Sequence, residues 1–368
     1  MEKIKRFPIL NYRVQNDQQR FVNIKFMNSK LYSFLKYVIL FTIAAALLFF
    51  AFKGVDLKKI GEQMLHANMF WVSVSGLISV IAFVVRAYRW NLLIEPMDYS
   101  PSLKNTTYSL MVGYFANLAI PRLGEVSRCG ALSKVESIPF NKLLGTVIVE
   151  RAIDVISLLL CMLLAAAIEF KRLGSFFGEN IFNPIIRKFD QLANSPLILT
   201  GIILVLIILI AVAIYFKRKN KIKGTESAIS KLIKGFIDGL RSVANLKRPG
   251  RFIFHSILIW FLYYLGTYVA FLAFPFTAGL GAGAALFLLV ASGLGMSAPV
   301  QGGIGAYHLL VSQGLVLYGL SQQDGLTFAT LLHTLQLLLI VIFGVISLLL
   351  LFSENKRRAG RAVPIKNI

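Results

Sequence analysis

The chain has 368 residues, of which 57% are hydrophobic and only 15% are charged, and its formal net charge is +22. A soluble domain carries about 25% charged residues, so this chain has too little polar surface to face water. The composition indicates an integral membrane protein. It excludes a large catalytic domain outside the bilayer, because apolar runs extend from residue 31 to 352.

The positive charge lies mainly in three basic tracts: residues 1–30 hold seven Lys/Arg, 217–251 hold eleven and 354–368 hold five. Basic tracts beside apolar runs are typical of cytoplasmic segments, so we expect all three tracts and both termini on the cytoplasmic side of a plasma (inner) membrane. We expect no nucleic-acid partner, since the charge follows this membrane pattern. Cys129 and Cys161 are too few for a disulfide framework or a metal cluster.

Apolar runs suited to membrane spans follow one another along the chain. They cover residues 31–52, 70–94, 105–121, 143–168, 197–216, 252–274, 280–298, 304–319 and 326–352. At about 20 residues per crossing, these runs predict an all-α, polytopic transmembrane helical bundle of about eight spans plus re-entrant or broken helices. The runs at 280–298 and 304–319 are short, which leaves two tilted crossings or a pair of half-helices as alternatives.

The run over 105–121 is the best candidate for an element that does not cross the membrane. An even number of crossings must separate the first two basic tracts if both are cytoplasmic, yet five apolar runs lie between them. This run has only 17 residues and ends at a proline. We therefore predict a re-entrant element, which is tolerated where protein or a water-filled cavity surrounds the backbone. The alternative is a full crossing followed by a short second one through residues 122–141.

The domain organisation follows from these runs: a basic tail (1–30), one integral membrane domain (31–352) and a second basic tail (353–368). Within the basic loop, residues 224–246 place apolar side chains at steps of three and four and basic ones on the other face. This spacing predicts an amphipathic helix, either on anionic lipid of the cytoplasmic leaflet or against the underside of the bundle.

Ionisable residues within apolar sequence concentrate in the stretch 113–154. Each costs about 2.5 to 3.5 kcal/mol at the centre of a membrane helix, so those retained are usually paired and functional. Glu150 and Asp154 lie four residues apart on one helical face and repel unless a cation or proton lies against them. We expect Arg122 and Arg128 to supply that cation and to leave guanidinium donors free for a phosphate. A purely structural ionic network near the membrane surface is the alternative.

Other polar residues in apolar surroundings have simpler interpretations. The spacing of Arg86, Arg89 and Trp90 at the end of the second span is typical of an interfacial anchor, and helping to admit the same phosphate is the alternative. His308 and His333 could meet, as packing histidines rather than ligands. The sequence has no zinc-protease, nucleophile-elbow or phosphate-loop motif, so we expect no metal, no cofactor and no ATP hydrolysis.

Three groups of residues together resemble a known family. They are Asn117 with Pro121-Arg122-Leu123-Gly124-Glu125 and Arg128, then Glu150-Arg151-Ala152-Ile153-Asp154, then Pro299 with Gly302-Gly303-Ile304-Gly305. In this order they resemble the lysylphosphatidylglycerol synthase transmembrane region family, the flippase-like membrane domain also found at the start of multiple peptide resistance factor proteins. The resemblance covers residues 35–352.

The resemblance implies an inner-membrane protein that binds, and in the flippase interpretation translocates, an anionic phospholipid or a polyprenyl-linked lipid. The implied substrate-binding residues are Asn117, Arg122, Glu125, Arg128, Glu150, Arg151 and Asp154, with Pro121, Gly124, Pro299, Gly302, Gly303 and Gly305 shaping the loop backbone. Because the sequence ends at Ile368, sixteen residues past the last apolar run, we expect no aminoacyl transfer to lipid.

Two alternatives come from other functional classes. One is a membrane-embedded transferase that acts on a lipid-linked substrate, with Glu150 or Asp154 as the base. The other is a non-transporting protein that assembles with an envelope-synthesis enzyme.

Overall fold

The structure is a computed structural model that describes residues 38, 41–177 and 246–361. The described residues form helices joined by short turns, without a strand among them, so the all-α prediction is confirmed. The predicted span over 197–216, the amphipathic helix over 224–246 apart from its last residue, and the basic tail over 1–30 lie outside the described residues.

Twelve α-helices occur in the described part of the chain. They are α1 (Phe41–Phe52), α2 (Leu57–Leu65), α3 (Met69–Ile94), α4 (Leu103–Ala119), α5 (Leu123–Glu136), α6 (Phe140–Ile168), α7 (Phe170–Phe177), α8 (Pro249–Ala270), α9 (Pro275–Ala278), α10 (Ala282–Ser297), α11 (Ala306–Val316) and α12 (Gln322–Arg361). Three 3-10 helices lie between them: Glu95–Met97, Phe271–Ala273 and Gln301–Gly303. Helices α3, α6, α8 and α12 are long and apolar enough to cross a membrane, which makes the protein multi-pass.

The loops gather at two ends of the bundle. At one end, Lys247 of the basic loop donates a hydrogen bond to Asp98, just after α3, at 2.7 Å, and this bond holds the pKa of the Asp98 carboxyl below its usual value. We call this the basic end. At the other end, the distal end, the Asn68 N–H donates to the Ala273 carbonyl at 2.8 Å. Helix α3 therefore runs from the distal to the basic end, and α8 returns.

Short polar side chains fix where the helices start. Asn68 accepts a hydrogen bond from the N–H of Phe70 at the start of α3, and Ser102 accepts one from the N–H of Asn105 at the start of α4. Such caps satisfy N–H groups that have no partner inside the helix. The polar loops therefore end where the apolar helices begin.

Helices α4 and α5 form a hairpin that starts and finishes at the basic end. The Glu136 carboxylate, at the end of α5, accepts hydrogen bonds from Ser102 and Asn105 at the start of α4. The legs have 17 and 14 residues, and at 1.5 Å per residue they extend about 26 and 21 Å into the bundle. The chain thus returns to the end where it started, which both the re-entrant prediction for 105–121 and its alternative of two crossings require.

Helices α10 and α11 form a second hairpin, which starts and finishes at the distal end. Gln313 near the end of α11 donates to Gln322 at the start of α12. Between the legs, Gly302, Gly303 and Gly305 have φ values of 56°, 76° and 83°, which favour glycine. Of the two alternatives for 280–319, the structure shows the pair of half-helices.

The tips of the two hairpins meet inside the bundle. A Cβ atom on Gly302 would lie 3.1 Å from Leu118 at the end of α4 and 3.5 Å from Leu337 of α12. Leu337 is about 22 Å along α12 from its distal start, at 1.5 Å per residue. Both hairpins therefore stop part-way through the bundle.

The two halves of the chain have inverted topology. In the first half, α3 runs from the distal to the basic end, the first hairpin enters from the basic end, and α6 returns to the distal end. In the second half, α8 runs from the basic to the distal end, the second hairpin enters from the distal end, and α12 returns to the basic end. At the basic end, Leu351 of α12 packs with Val112 and Val135 of the first hairpin. Inverted repeats with broken helices place binding sites near the bilayer midplane in many transporters.

Candidate functional site

Five side chains form a buried ionic cluster beside the first hairpin. Glu150 and Asp154 project from α6 toward α3. The Arg86 Nε donates to Glu150 at 3.1 Å and its Nη2 to Asp154, while the Arg89 Nη2 donates to Asp154 at 2.6 Å. From α5, Nη1 of Arg128 forms an ion pair with Glu150 at 3.0 Å that lacks hydrogen-bond alignment. We call Arg86, Arg89, Arg128, Glu150 and Asp154 the ionic cluster.

The ionic cluster contains three guanidinium groups and two carboxylates, so it carries one excess positive charge. Glu150 and Arg89 are fully buried, and Arg128 is 2% exposed. Charges buried this way persist only when each has a partner, because desolvation of an isolated ion costs several kcal/mol. The cluster therefore joins α3, α5 and α6, and its excess charge favours an anion nearby.

Neighbouring side chains fix the arginine orientations. The Arg128 guanidinium stacks on Trp90, 4.7 Å from the ring centroid, and the Trp90 indole N–H donates to the Thr146 hydroxyl at 2.8 Å. From α8, Tyr263 accepts a hydrogen bond from Arg86 Nη1 at 3.2 Å. These contacts hold the guanidinium planes in place, which favours a preorganised site.

The interfacial-anchor interpretation of Arg86, Arg89 and Trp90 is wrong. All three side chains are buried and face the bundle interior. The paired carboxylates of α6 require cations, and the two α3 arginines, three residues apart on one face, supply them. That complementarity was visible in the sequence, but arginines next to a tryptophan at a span end also fit the commoner headgroup pattern.

A cavity of about 880 Å³ lies beside the ionic cluster, between the two hairpins and α3, α6, α8 and α12. Its charged lining residues among those described are Arg86, Arg122, Glu125, Arg151 and Asp154. Its uncharged polar lining includes Ser75, Ser79, Tyr114, Asn117, Tyr263, Thr267, Ser292 and Gln336. The charges belong to α3, α5 and α6 and to the first tip, whereas α8, α10 and α12 contribute only uncharged groups. The charged residues thus mark one side of the cavity.

Two arginines of the cavity retain free donors. Arg122 lies in the tip of the first hairpin, is exposed, and forms no ion pair with another described residue. Its φ of 66° is unusual for a residue other than glycine, and such backbone costs about 1 to 3 kcal/mol. Arg151, 44% exposed, contacts Glu125 at 3.7 Å and Asp154 at 3.9 Å, both too long for hydrogen bonds. Both guanidiniums can therefore bind an anion in the cavity.

The structure separates the predicted site residues into two groups. Asn117, Arg122, Glu125, Arg151 and Asp154 line the cavity. Arg128 and Glu150 do not: they lie behind the cavity wall, where they belong to the ionic cluster. Arg128 stacks on Trp90 and pairs with Glu150, 2% exposed, and none of its guanidinium nitrogens has a hydrogen-bond partner among the described residues. That it binds a phosphate stays a prediction.

The first tip is closed by tight backbone packing. The side-chain oxygen of Asn117 accepts a hydrogen bond from the Gly124 N–H at 2.6 Å. A Cβ atom on Gly124 would lie 2.3 Å from the Gly113 carbonyl oxygen, so only glycine fits here. Gly124 therefore makes the close backbone approach predicted for it, while Pro121 lines the cavity.

The second tip divides in the same way. Pro299, Gly302 and Gly303 line the cavity. Gly305 instead packs against α1, where its Cβ atom would lie 2.8 Å from the Ala44 carbonyl oxygen. The tip therefore presents backbone rather than charge to the cavity.

Two histidines lie near the second tip. His308 and His333 meet, with ring centroids 4.8 Å apart. Within residues 41–177 and 246–361, no group of three or more His, Cys, Asp or Glu side chains is placed to hold a metal ion.

Comparison with known proteins places the cluster and both hairpins in one family. Residues 34–344 match the family described as the lysylphosphatidylglycerol synthase TM region. The chain belongs to this family. The match includes both hairpins, all five residues of the ionic cluster and the whole charged lining of the cavity.

Two relatives within the lysylphosphatidylglycerol synthase TM region family are archaeal. A UPF0104 membrane protein of Methanocaldococcus jannaschii is 31% identical over 103 residues, which cover 27% of this chain and 31% of that protein. A UPF0104 membrane protein of Methanothermobacter thermautotrophicus is 25% identical over 269 residues, which cover 71% of this chain and 78% of that protein. No solved structure matches the chain significantly.

Proposed function

We propose that the protein binds the phosphate-bearing headgroup of an anionic phospholipid or polyprenyl-linked lipid in this cavity and moves it across the membrane. One observation carries the proposal: Arg122 and Arg151, both with free donors, face a cavity of about 880 Å³ beside a buried cluster with excess positive charge. Membership of the lysylphosphatidylglycerol synthase TM region family supports a lipid-related role.

The chemistry of the cavity suits a phosphodiester. A guanidinium presents its N–H groups as a planar fork that matches two phosphate oxygens. Arg122 reaches the cavity from the first tip and Arg151 from α6, so the two can hold one phosphate from different sides. Arg86 lines the same wall but is already bound to both cluster carboxylates. Arg86 therefore contributes electrostatic attraction for the phosphate rather than free hydrogen-bond donors.

Asp154 of the ionic cluster and Glu125 of the first hairpin position Arg151. Asp154 bonds Arg86 and Arg89 and lies 3.9 Å from Arg151, and Glu125 contacts Arg151 from the first hairpin. Each acidic group restrains a guanidinium without neutralising the whole set. A preorganised site of this kind avoids part of the ordering cost of binding.

The lipid tails need an apolar path beside the polar cavity. Val155 of α6 lines the cavity and is also 51% exposed, next to the exposed apolar residues Leu159 and Leu163 on the same helix. A headgroup bound near Asp154 therefore has an apolar surface within one helical turn. We infer that the tails stay in the bilayer along α6.

The inverted hairpins suggest how the headgroup passes. One hairpin enters from each end, and the contact of Leu118 with Gly302 closes the space between their tips. Separation of one tip at a time from α12 opens the cavity to one end and then to the other, as in transporters built from inverted repeats. We assign the basic end to the cytoplasm of a plasma (inner) membrane, with both termini on that side, because Lys and Arg concentrate there.

The transferase alternative has less support. A general base needs a carboxylate free to accept a proton, whereas Glu150 and Asp154 are both held by arginines in the ionic cluster. Assembly with an envelope-synthesis enzyme stays a prediction. Copurification of such an enzyme with a protein that moves no lipid would favour it.

The experiment is lipid exchange in reconstituted vesicles. Vesicles of phosphatidylcholine with a trace of fluorescent phosphatidylglycerol report translocation through a membrane-impermeant quencher. We expect Arg122→Gln and Arg151→Gln each to slow exchange about tenfold, the effect of losing one charge-assisted phosphate contact. Lys134→Gln is the matched control, because Lys134 is an exposed cation of the first hairpin outside the cavity lining. Wild-type exchange in the double arginine variant would overturn the proposal.

A further inference from the structure

Two histidines at the second hairpin, one on α11 and one on the adjacent α12, have no part in the proposed headgroup site. Residues 282–316 include no Asp, Glu, Lys or Arg. His308 on α11 and His333 on α12 nevertheless lie together behind the tip, 6% and 1% exposed. Their rings meet edge to face with centroids 4.8 Å apart. The two buried imidazoles therefore form a titratable pair between α12 and a hairpin that has no Asp, Glu, Lys or Arg.

Hydrogen bonding defines where a proton can bind. The His333 Nε2 lies 2.8 Å from the Gly302 carbonyl oxygen. A carbonyl only accepts, so Nε2 carries the hydrogen and the other ring nitrogen keeps a lone pair when the ring is neutral. The Nδ1 of His308 is buried without a hydrogen-bond partner among the described residues. The pair therefore offers basic nitrogens that no described side chain occupies.

One side chain, Tyr307, lies between the histidine pair and the cavity. Tyr307 stacks on His333 with ring centroids 4.8 Å apart, and Tyr307 also lines the cavity. On the far side, Phe52 of α1 packs on His308 at 5.7 Å. A charge on the pair thus lies one aromatic ring away from the proposed headgroup.

Few charged groups on the neighbouring elements could act as the counter-charge for a proton on the histidine pair. On α12, Asp324 is nine residues before His333 and accepts hydrogen bonds from Gln63 and Ser321 at the distal end. After α1, Lys53 is exposed. Helix α10, α11 and the second tip contribute no charged side chain, and from α4 the second tip meets the apolar Leu118. The cavity ligand is therefore the natural counter-charge for a proton on the pair.

We propose that His308 and His333 form a proton-binding site coupled to the anionic headgroup in the cavity. This inference rests on the proposed function, since the coupling partner is the headgroup. The pair holds one proton rather than two, because two imidazolium rings at this separation repel strongly in a low dielectric.

The coupling follows from reciprocity between the two sites. An anion in the cavity stabilises a proton on the pair, so the proton must stabilise the anion by the same factor. Protonation also strengthens the hydrogen bond of His333 to the Gly302 carbonyl, because bonds from charged donors are stronger. The second tip is thus held most firmly when lipid and proton are both bound, and lipid and proton move together.

The test measures lipid binding by the purified full-length protein in detergent micelles as a function of pH. Trp260 lines the cavity, so its fluorescence reports binding of short-chain phosphatidylglycerol. We expect the affinity to increase severalfold from about pH 7 to about pH 4, because burial disfavours the charged imidazolium and moves the titration of a buried histidine below that of an exposed one. Short-chain phosphatidylcholine, which has no net charge, is the comparison ligand and should show less than about a twofold change.

The variants keep the hydrogen bond and remove the titration. In His333→Gln the side-chain amide can still donate to Gly302, and His308→Gln removes the second ring. The variant with both substitutions should bind phosphatidylglycerol with little pH dependence, and each single variant, which keeps one titratable ring, should keep part of the slope. His255→Gln is the matched control: His255 is a partly buried histidine of α8 outside the cavity lining, its Nδ1 contacts the Arg251 carbonyl, and this variant should keep the wild-type slope.

Proton uptake provides a second measurement that needs no variant. Phosphatidylglycerol added to wild-type protein in weakly buffered solution should remove protons from the medium, up to one per protein, as a pH dye reports. Binding without uptake, or a full pH slope in the double histidine variant, would overturn the coupling and leave the proposed function intact. Failure of wild-type protein to bind phosphatidylglycerol at any pH would overturn both.

Discussion

The two hairpins have the same shape but opposite chemistry. The first carries Arg122, Glu125 and Arg128, and it is tied to α6 by ion pairs and to α3 by the stacking of Arg128 on Trp90. The second, residues 282–316, has no Asp, Glu, Lys or Arg, and its tip depends on glycines with positive φ and on a hydrogen bond to His333. The first hairpin supplies charged ligands, and the second supplies backbone shape.

This difference shows that inverted topology does not require similar sequences in the two halves. Each tip must approach neighbouring backbone closely, and each does so with glycine: Gly124 against Gly113, and Gly295 against Tyr307. What repeats is the requirement for small residues, while charge is confined to one half. If the comparison is right, charge removal should damage the first hairpin most and added side-chain volume should damage both.

The largest expected effect comes from Glu150→Ala. Glu150 is fully buried and contacts Arg86, Arg89 and Arg128, so its loss leaves three guanidiniums with only the Asp154 carboxylate. Removing one partner from a buried ion pair destabilises a protein by about 3 to 5 kcal/mol. We expect a greatly reduced yield or a much lower melting temperature in detergent micelles.

The matched control is Glu62→Ala, which removes a mostly exposed carboxylate of α2 from a long contact with Lys58. Its melting temperature should stay close to wild type, because exposed pairs contribute about 0 to 1 kcal/mol. Equal melting of the two variants would show that the ionic cluster does not hold the first hairpin.

The next effect tests packing at the first tip through Gly124→Ala. The new Cβ atom would lie 2.3 Å from the Gly113 carbonyl and 2.6 Å from the Asn117 amide nitrogen, so the legs must separate. Overpacking of this kind costs about 1 to 3 kcal/mol. Gly130→Ala in the same helix has open space at its Cβ position and should stabilise by about 0.5 to 1 kcal/mol. Melting curves that move in the same direction for both variants would refute tight packing at this tip.

Much of the fold could be predicted from hydropathy, because charge is costly in lipid. The predicted span over 70–94 is α3 within one residue at its start, and the carboxylate pair on α6 was recognised from its spacing. The second hairpin could not be assigned from sequence, because two crossings and two half-helices return the chain to the same side. Only the contact between the tips distinguishes them.

The site was predicted less completely than the fold. Arg122 and Arg151 were identified and line the cavity, whereas Arg128, also predicted as a ligand, is buried outside the cavity lining and stacks on Trp90. Arg86 was interpreted first as an interfacial anchor, with a role beside the phosphate as the alternative, because its neighbours in sequence indicate a membrane interface and pairing across helices depends on the third dimension. Periodicity predicts which face of a helix a residue occupies, but not which partner it meets.

The smallest effect sharpens the comparison at the second tip through Gly305→Ala. Gly305 has a φ of 83°, and its Cβ atom would lie 2.8 Å from both the Ala44 carbonyl oxygen and the Leu48 nitrogen. Left-handed backbone costs an alanine about 1 to 2 kcal/mol, and the clash with α1 adds to it. Gly319→Ala is the control, because Gly319 has a φ of 87° but no heavy atom within 4 Å of its Cβ position. We expect Gly305→Ala to lower the melting temperature more than Gly319→Ala does, and the difference measures how firmly α1 supports the second tip. If the two variants have the same melting temperature, α1 moves to accommodate the new side chain. Packing against α1 then does not fix the position of the second tip.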